Sequence, residues 1–454
     1  MTTQRVRARE KARERQEDRD RPEPPRQRRA FSTMGGPIEI GGDAAEARLL
    51  GKLLVVDPGL ARALTHGFHS YAGRMHPSIA RGAVAAGSRP GDLGGDPFCG
   101  SGTVLVEGMG LGRRAVGVDA SPLGIAIARV RTTTLGDAGR GHLRAEAARI
   151  AAESGDNARK RRRPDSPPWA KREFERFHPH VALELLGLRA LVMATPDDDV
   201  GRALRMCLSS ILVKVMKAGP EAPRDGAEKR IARGMPSRLF TDRAEELARG
   251  LGALERRVPP GTPAPECQLG DARDLSFIAS GSAGLVVSSP PYAGTYDYAA
   301  QHDVRFTWLE LPRRSFRETQ IGARSAGLGL GADPVAWRES QRRWIGEIAR
   351  ILAPGAHAML VVGDGVVGNQ AEDAPDAVAS LADPQGLEPV ARASQSRPVI
   401  DNRLQEIFAA RPRREHLLLL RKSGTPSGAQ PGATPRPSPR APRGETARER
   451  PRRR

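Results

Sequence analysis

The stretch "RPGDLGGDPFCGSGTVLVEGMGLGRRAVGVDASPLGIAIARVRT" (residues 89–132) decides the fold. It reads as a strand, a Gly-rich turn, a helix, a second strand, a turn and a second helix. The second strand, "RAVGVD", is short and apolar and closes on Asp119. Helix follows strand twice, the pattern of a parallel sheet covered by helices. In such open sheets ligands bind outside the carboxyl ends of the strands.

Upstream, "THGFHSYAGRMHPSIARGAVAAG" (65–87) is a polar, aromatic stretch leading into a helix. Downstream, residues 138–258 change character: "VGRALRMCLSSILVKVMKAG" and "FTDRAEELARGLGALERRV" space their apolar residues at about 3.6, which predicts helices. The loop "ARKRRRPDSPPW" (158–169) interrupts them. The alternating pattern returns in "CQLGDARDL", "AGLVVSSPPY" and "WIGEIARILAPGAHAMLVVGD", the last an amphipathic helix, a Pro-Gly turn and a strand. "REHLLLLRK" (414–422) reads as a closing strand. The expected fold class is therefore α/β: a Rossmann-like, doubly wound, mostly parallel sheet split by a helical insertion. Its divisions fall at 1–45 (basic arm), 46–137, 138–260 (the insertion), 261–422 and 423–454 (Pro/Arg-rich tail).

At 39% hydrophobic residues over 454 positions, there is apolar material for one sizeable domain with an insertion. No uninterrupted apolar run reaches about 18 residues, so no membrane span is expected. The N-terminus lacks the apolar segment of a secretory signal. Cys99, Cys207 and Cys267 lie in neither a metal-ligand nor a disulfide spacing. The expectation is a cytoplasmic protein in a reducing compartment, without a metal. The net charge of +19 is uneven: residues 1–30 hold eleven Arg/Lys against six Asp/Glu, and 421–454 hold ten against two. Pro, Gly, Ser and Arg dominate both segments, a composition that argues against a packed core and for disorder. Such tails can contact phosphates non-specifically. Only eight of the 72 basic residues are lysine, however, which points to a coding bias toward Arg, Ala, Gly and Pro. The tails are compatible with a polyanionic partner without establishing one.

Each candidate motif falls at a predicted strand end. In "DPFCGSGT" (96–103), Gly100 and Gly102 permit positive φ and close backbone approach, and Phe98 offers an apolar contact. No Lys follows the second Gly, so this is not a phosphate cradle of the GxxxxGK[ST] type. Asp119 could accept hydrogen bonds from both hydroxyls of a ribose, or cap the helix that follows it. Asp271 could accept from an adenine amino group, or cap a turn. In "SSPPY" (288–292), Pro290 and Pro291 end the strand, since proline donates no ladder hydrogen bond. An exocyclic amino group on a nucleobase is a poor nucleophile, because its lone pair is delocalised into the ring. A Ser289 oxygen and the Pro290 carbonyl, held rigid by Pro291, would draw its hydrogens out of plane and localise that pair. Tyr292 could stack on the base.

Assembled in this order, the motifs resemble those of the amino-group DNA methyltransferases that use S-adenosyl-L-methionine. "DPFCGSGT" and "GVDASP" resemble the family's cofactor motifs, and "SSPPY" resembles its catalytic motif in the form typical of N4-cytosine enzymes. "HGFHSYAGRMHP" is similar to the segment that folds over the cofactor's methionine end, and "EIARILAPGAHAMLVVGD" and "RPRREHLLLLRK" to later motifs. The likeness covers roughly 65–135 and 265–422. It implies a cofactor site at Asp96, Phe98, Gly100, Gly102, Thr103, Asp119 and Asp271, and a target-amine site at Ser289, Pro290, Pro291 and Tyr292. It implies DNA as partner, RNA less so, and places the block 138–260 where some members carry a target-recognition region. "KRRRP" (160–164) could touch phosphates or be a solvated loop. Gly94 and Gly95 depart from the pattern, standing where an apolar pair is expected. At about 0.5–1 kcal/mol each, they predict a loose first strand and modest cofactor affinity. Rival expectations are an N6-adenine DNA enzyme, an RNA amino-group methyltransferase, and a nucleic-acid-binding protein that has lost the chemistry. A C5-cytosine enzyme needs a cysteine nucleophile beside a proline, a place that neither Cys99 nor Cys267 fits.

Overall fold

The computed structural model describes residues 36–159, 167–218, 228–323, 331–397 and 405–424. The basic arm up to residue 35, the "KRRRP" run and the tail from 425 lie outside the described residues. Strands are β1 (Ile38–Gly42), β2 (Leu93–Asp96), β3 (Arg114–Asp119), β4 (Glu266–Leu269), β5 (Ala283–Ser288), β6 (Leu352–Gly363), β7 (Gly365–Val367), β8 (Gln370–Glu372), β9 (Leu387–Ser396) and β10 (Arg414–Lys422). Eight of them form one sheet in the order β1-β9-β10-β6-β5-β2-β3-β4, and β7 and β8 pair by themselves.

The pairings β2–β3, β3–β4, β2–β5 and β5–β6 are parallel, while β10 runs antiparallel between β6 and β9. From β2 the chain moves outward to β3 and β4, then crosses back to β5 on the other side of β2. The strand order therefore reverses between β2 and β5, the place where open α/β sheets form their ligand crevice. The fold is a Rossmann-like, mostly parallel α/β sheet, as the repeated strand–helix pattern implies.

The central strands are apolar on both faces because helices cover both. Leu285 and Val287 of β5 face the helices Ala44–Leu54 and Pro77–Gly87, while Val286 faces Trp344, Ile345 and Ile348 of the helix Pro334–Ile351. β10 alternates in the same way, Leu417 and Leu419 on one face and Leu418 and Leu420 on the other. Strands buried on both sides read as continuous apolar runs, hence "HLLLL". Between β3 and β4 the described residues form only helices, among them Gly136–Arg159, Pro179–Met193, Asp199–Leu212 and Met235–Arg257. Their core is shared with Leu123, Ile127 and Val130 of the helix after β3.

A chain of buried charges ties this helical block to the sheet. Arg131, with none of its surface exposed, donates to Ser101 O at 2.6 Å, Thr65 O at 3.1 Å and His66 Nδ1 at 2.5 Å. His66 Nε2 meets Glu107 at 2.8 Å, and Arg257, the last residue of the block's last helix, donates to Glu107 at 2.8 Å. Burial pushes His66 down to about 4. The imidazole is thus neutral, with Nε2–H donating to Glu107 and Nδ1 accepting from Arg131.

Three features differ from the sequence reading. Residues 38–42, expected within an unstructured arm, form β1 against β9. The strand is five residues at a sheet edge, and the Arg- and Pro-rich composition before it conceals the alternation of Ile38 and Ile40. The Pro354-Gly355 pair is a bulge inside β6 rather than a turn before it: Ala283 aligns with Leu352 but Leu285 with His357. The expected looseness of β2 has no counterpart in its ladder, since Gly94 and Gly95 pair with β3 on one side and β5 on the other. A Cβ built on Gly95 would lie 3.5 Å from Val286 Cγ2 and 3.7 Å from Ile351 Cδ1, ordinary contact distances. Gly95→Ala is therefore expected to raise the unfolding free energy by about 0.5–1 kcal/mol, read from the denaturant midpoint. A lowered midpoint would show that the strand requires glycine there.

Candidate active site

At the carboxyl end of β2 the chain must turn at once into the helix Thr103–Gly110. Gly100 (φ 49°) and Gly102 (φ 76°) supply the left-handed conformations this requires. The Gly100 N–H donates to Asp119 Oδ2 at 2.8 Å, and the Ser121 N–H to Asp119 Oδ1 at 2.7 Å. Asp119 is thus strapped across the ends of β2 and β3, and each of its oxygens keeps a lone pair for a ligand. The N-cap of the following helix falls to Ser121, whose hydroxyl accepts from the Gly124 N–H. Burial pushes Asp119 up to about 6.

At the switch point Ser288 Oγ donates to Asp96 Oδ1 at 2.6 Å, and the Phe98 N–H approaches both, at 3.2 Å and 3.3 Å. Both side chains are buried, and burial pushes Asp96 up to about 7. Phe98 itself stands edge-on to Trp344, ring centres 5.6 Å apart.

These ends open into one cleft of about 810 Å³, its mouth included. Of the residues singled out in the sequence, Asp96, Phe98, Gly100, Thr103, Asp119, Asp271, Ser289 and Pro291 line it. Gly102, Pro290 and Tyr292 lie behind its wall. The segment "YAGRM" (71–75) forms a further wall, and Tyr298, Phe316, Thr319, Gln320 and Ile321 close the other side. The resemblance marks the 65–76 segment without choosing residues from it. Tyr298 and the residues after Phe316 come from short helices with no motif to announce them.

Tyr292 is placed differently from the expectation of a stacking ring. It is 8% exposed, and a Cβ on Gly363 would fall 2.7 Å from its ring, so the ring lies flat on β6 where only glycine leaves room. The Arg397 guanidinium sits over it at 5.8 Å, and the phenol lies beside Ser289 and Glu415. The rings that do line the cleft are Tyr71, Phe98, Tyr298 and Phe316. The two tyrosines belong to an aromatic row running from His302 through Tyr71, Tyr298 and Tyr296 to Tyr292, with neighbouring centres 4.9–6.3 Å apart.

Asp271 lines the cleft, but its carboxylate is gripped by Arg273, whose Nε lies 2.9 Å from one oxygen and whose Nη2 lies 2.6 Å from the other. Arg273 continues to the carbonyl of Thr319 at 3.2 Å, joining Asp271 to the far wall. Burial pushes Cys99 well above the usual thiol range and Cys267 to about 11. Among the described residues no group of His, Cys, Asp or Glu side chains could hold a metal ion, and no helix is long and apolar enough to cross a membrane.

Residues 68–151 match the family model described as RMKL-like, methyltransferase domain. Type II methyltransferase M.MjaII of Methanocaldococcus jannaschii is 39% identical over 66 residues, which span 14% of this chain and 12% of that protein's own length. Among solved structures, TrmN from Thermus thermophilus is similar at a TM-score of 0.33 and 11% identity, over 77% of this chain and 50% of that one. The rRNA methyltransferase aviRa from Streptomyces viridochromogenes is similar at 0.34 and 13%, over 81% and 94%. The fold assignment rests on the sheet order rather than on these likenesses.

Residues 68–151, which hold β2, β3 and the turn between them, thus match a methyltransferase domain, and the cofactor is S-adenosylmethionine. The cleft fits that molecule. Thr103 Oγ1 is buried at the wall without a partner among the described residues. Asp119 offers free lone pairs to a ribose, and Phe98, Met75 and Ile321 supply apolar walls.

A ribose whose hydroxyls donate to the ionised Asp119 would favour loss of its proton on binding. Cofactor affinity by calorimetry is expected to fall, by up to about tenfold per pH unit, as pH drops below about 6. Asp119→Asn should weaken binding at neutral pH and flatten that profile; an unchanged profile would remove Asp119 from the ribose site. Ser288→Ala takes the strongest donor from a buried carboxyl and is expected to cost about 1–3 kcal/mol of stability in denaturant unfolding.

Proposed function

We propose that the protein transfers the methyl group of S-adenosylmethionine to an exocyclic amino group of a nucleobase in DNA, N4 of cytosine foremost. The observation that carries this reading is the position of Ser289 and Pro291. They line the same cleft as Gly100 and Asp119, because β5 and β2 are neighbours in the sheet.

Bound in the cleft, the cofactor supplies an electrophilic methyl group. The work left to the chain is to present the amine. Ser289 Oγ and the Pro290 carbonyl accept its two N–H bonds and turn its lone pair out of the ring plane toward that methyl group. The diproline fixes both acceptors before the base arrives, which is electrostatic preorganisation. Tyr292 acts through Ser289: its buried phenol sits beside the serine and holds it, with Arg397 and Gly363 fixing the ring. The stacking surface for an extruded base falls to Tyr298, Tyr71 and Phe316. The raised thiols of Cys99 and Cys267 speak against attack on ring carbon.

The helical block at 138–260 is part of this proposal as the target-recognition region, on its place between the cofactor motifs and Ser289. Some of its arginines are paired, Arg144 with Glu245, Arg149 with Glu146 and Glu153, Arg202 with Asp199 and Arg205 with Asp197, while the exposed Arg172, Arg230, Arg233, Arg238 and Arg256 have no carboxylate partner among the described residues.

The test is incubation with methyl-labelled cofactor and DNA or RNA, followed by mass analysis of the nucleosides. N4-methylcytosine from DNA is expected. N6-methyladenine or labelled RNA nucleosides would reassign the substrate, and no labelled nucleoside from either polymer would end the reading. Ser289→Ala should lower turnover by about a hundredfold or more while cofactor affinity holds.

A further inference from the structure

Resting on the nucleic-acid reading above, we propose that the helix Arg313–Thr319 carries a phosphate-binding face for the strand flanking the target base. The helix has the sequence RRSFRET. One side belongs to the cleft: Phe316 is buried and lines it, as do Thr319 and Gln320. The other side gathers Arg313, Arg314 and Arg317, which with Glu318 line a single shallow depression on the surface. At about 100° per residue, positions 313, 314 and 317 share an arc of the helix, away from Thr319.

Arg317 is exposed and has no carboxylate partner among the described residues. Arg314 is 94% exposed and held only by Glu318 one turn on, an exposed pair of little worth in water. Arg313 is anchored by Asp303, which also takes Arg176, and so is fixed as the inner edge of the depression. The face thus presents two available guanidinium groups and one anchored one. Guanidinium forks suit phosphate oxygens, and three of them here face one depression beside the cleft.

The location fixes what a bound phosphate would do. Arg273 bonds the Thr319 carbonyl and grips Asp271 at the cofactor side, so the C-terminal end of this helix is tied to the cleft floor. A phosphate held on its outer face would lie a helix diameter from the cleft wall, about 10 Å. An extruded base can span that distance from its own backbone. The helix would then set the register of the strand over Ser289, the positioning role that phosphate contacts play in nucleic-acid complexes.

The experiment uses the full chain and measures affinity for a labelled DNA duplex and for the single strand over a series of KCl concentrations. Arg314→Gln with Arg317→Gln is expected to reduce the slope of log K against log salt. The reduction should be about 0.9 for each phosphate no longer neutralised on duplex, or about 0.7 on single strand. Arg317→Glu should weaken binding further at low salt. Cofactor affinity, unchanged in all variants, reports that the fold is intact. An unaltered slope and affinity in both variants would overturn the phosphate face while leaving the methyl-transfer reading standing. A wild-type protein that binds neither DNA nor RNA at any salt would overturn both.

Discussion

One hydrogen bond, from Ser288 to Asp96, joins the two strand ends from which the proposed reaction centre is built, beyond the ladder between β2 and β5. Asp96 ends the strand that leads into the cofactor turn, and Ser288 ends the strand that leads into the diproline corner. The residues lie 192 positions apart in the chain, yet the strand order brings their strands side by side. Everything beyond them on the carboxyl side is turn and loop, with no ladder to fix it. The bond therefore helps to fix the Gly100 turn against Ser289, and the shared Phe98 N–H ties the start of the turn to the same pair. Burial that raises Asp96 to about 7 marks the cost of placing a carboxyl there. The donors around it are what make the placement tolerable.

The parallel sheet is legible in the sequence because its signals are local: apolar strands buried on both faces, glycines at positive φ, and a carboxylate at a strand end each leave a fixed pattern. Asp119, Gly100 and Ser289 stand out for that reason, and the structure gathers them. What stays hidden depends on distant pairing. β1 exists because β9 offers it an edge, and "IEIGG" after an arginine-rich arm gives no hint of that. The cleft walls at Tyr298 and Thr319 sit on short helices whose sequences carry no motif. Tyr292 shows the complementary failure. Its motif position suggests an exposed ring, but the space above Gly363 accommodates an aromatic side chain, and burial wins.

The cleft has an asymmetric construction. The cofactor side is built from strand ends and a helix N-terminus, with Asp96 and Asp119 both held by backbone N–H groups. The opposite side is built from side chains on short helices, tied back by Arg273. On the proposed reaction, the half built from strand ends would hold the methyl donor and the side-chain half would meet the acceptor, an arrangement that suits a constant donor and an acceptor that must enter and leave.

The buried charge chain from Ser101 through Arg131, His66 and Glu107 to Arg257 bears on modularity. A helical segment inserted between two strands looks like a cassette that could be exchanged for one of different target preference. Here the last residue of that segment's final helix neutralises a carboxylate lodged near the Gly100 turn, so excision would leave Glu107 in the interior without its arginine. Any graft must bring its own cation to the end of its final helix. The block is interchangeable only with others that honour this electrostatic handshake.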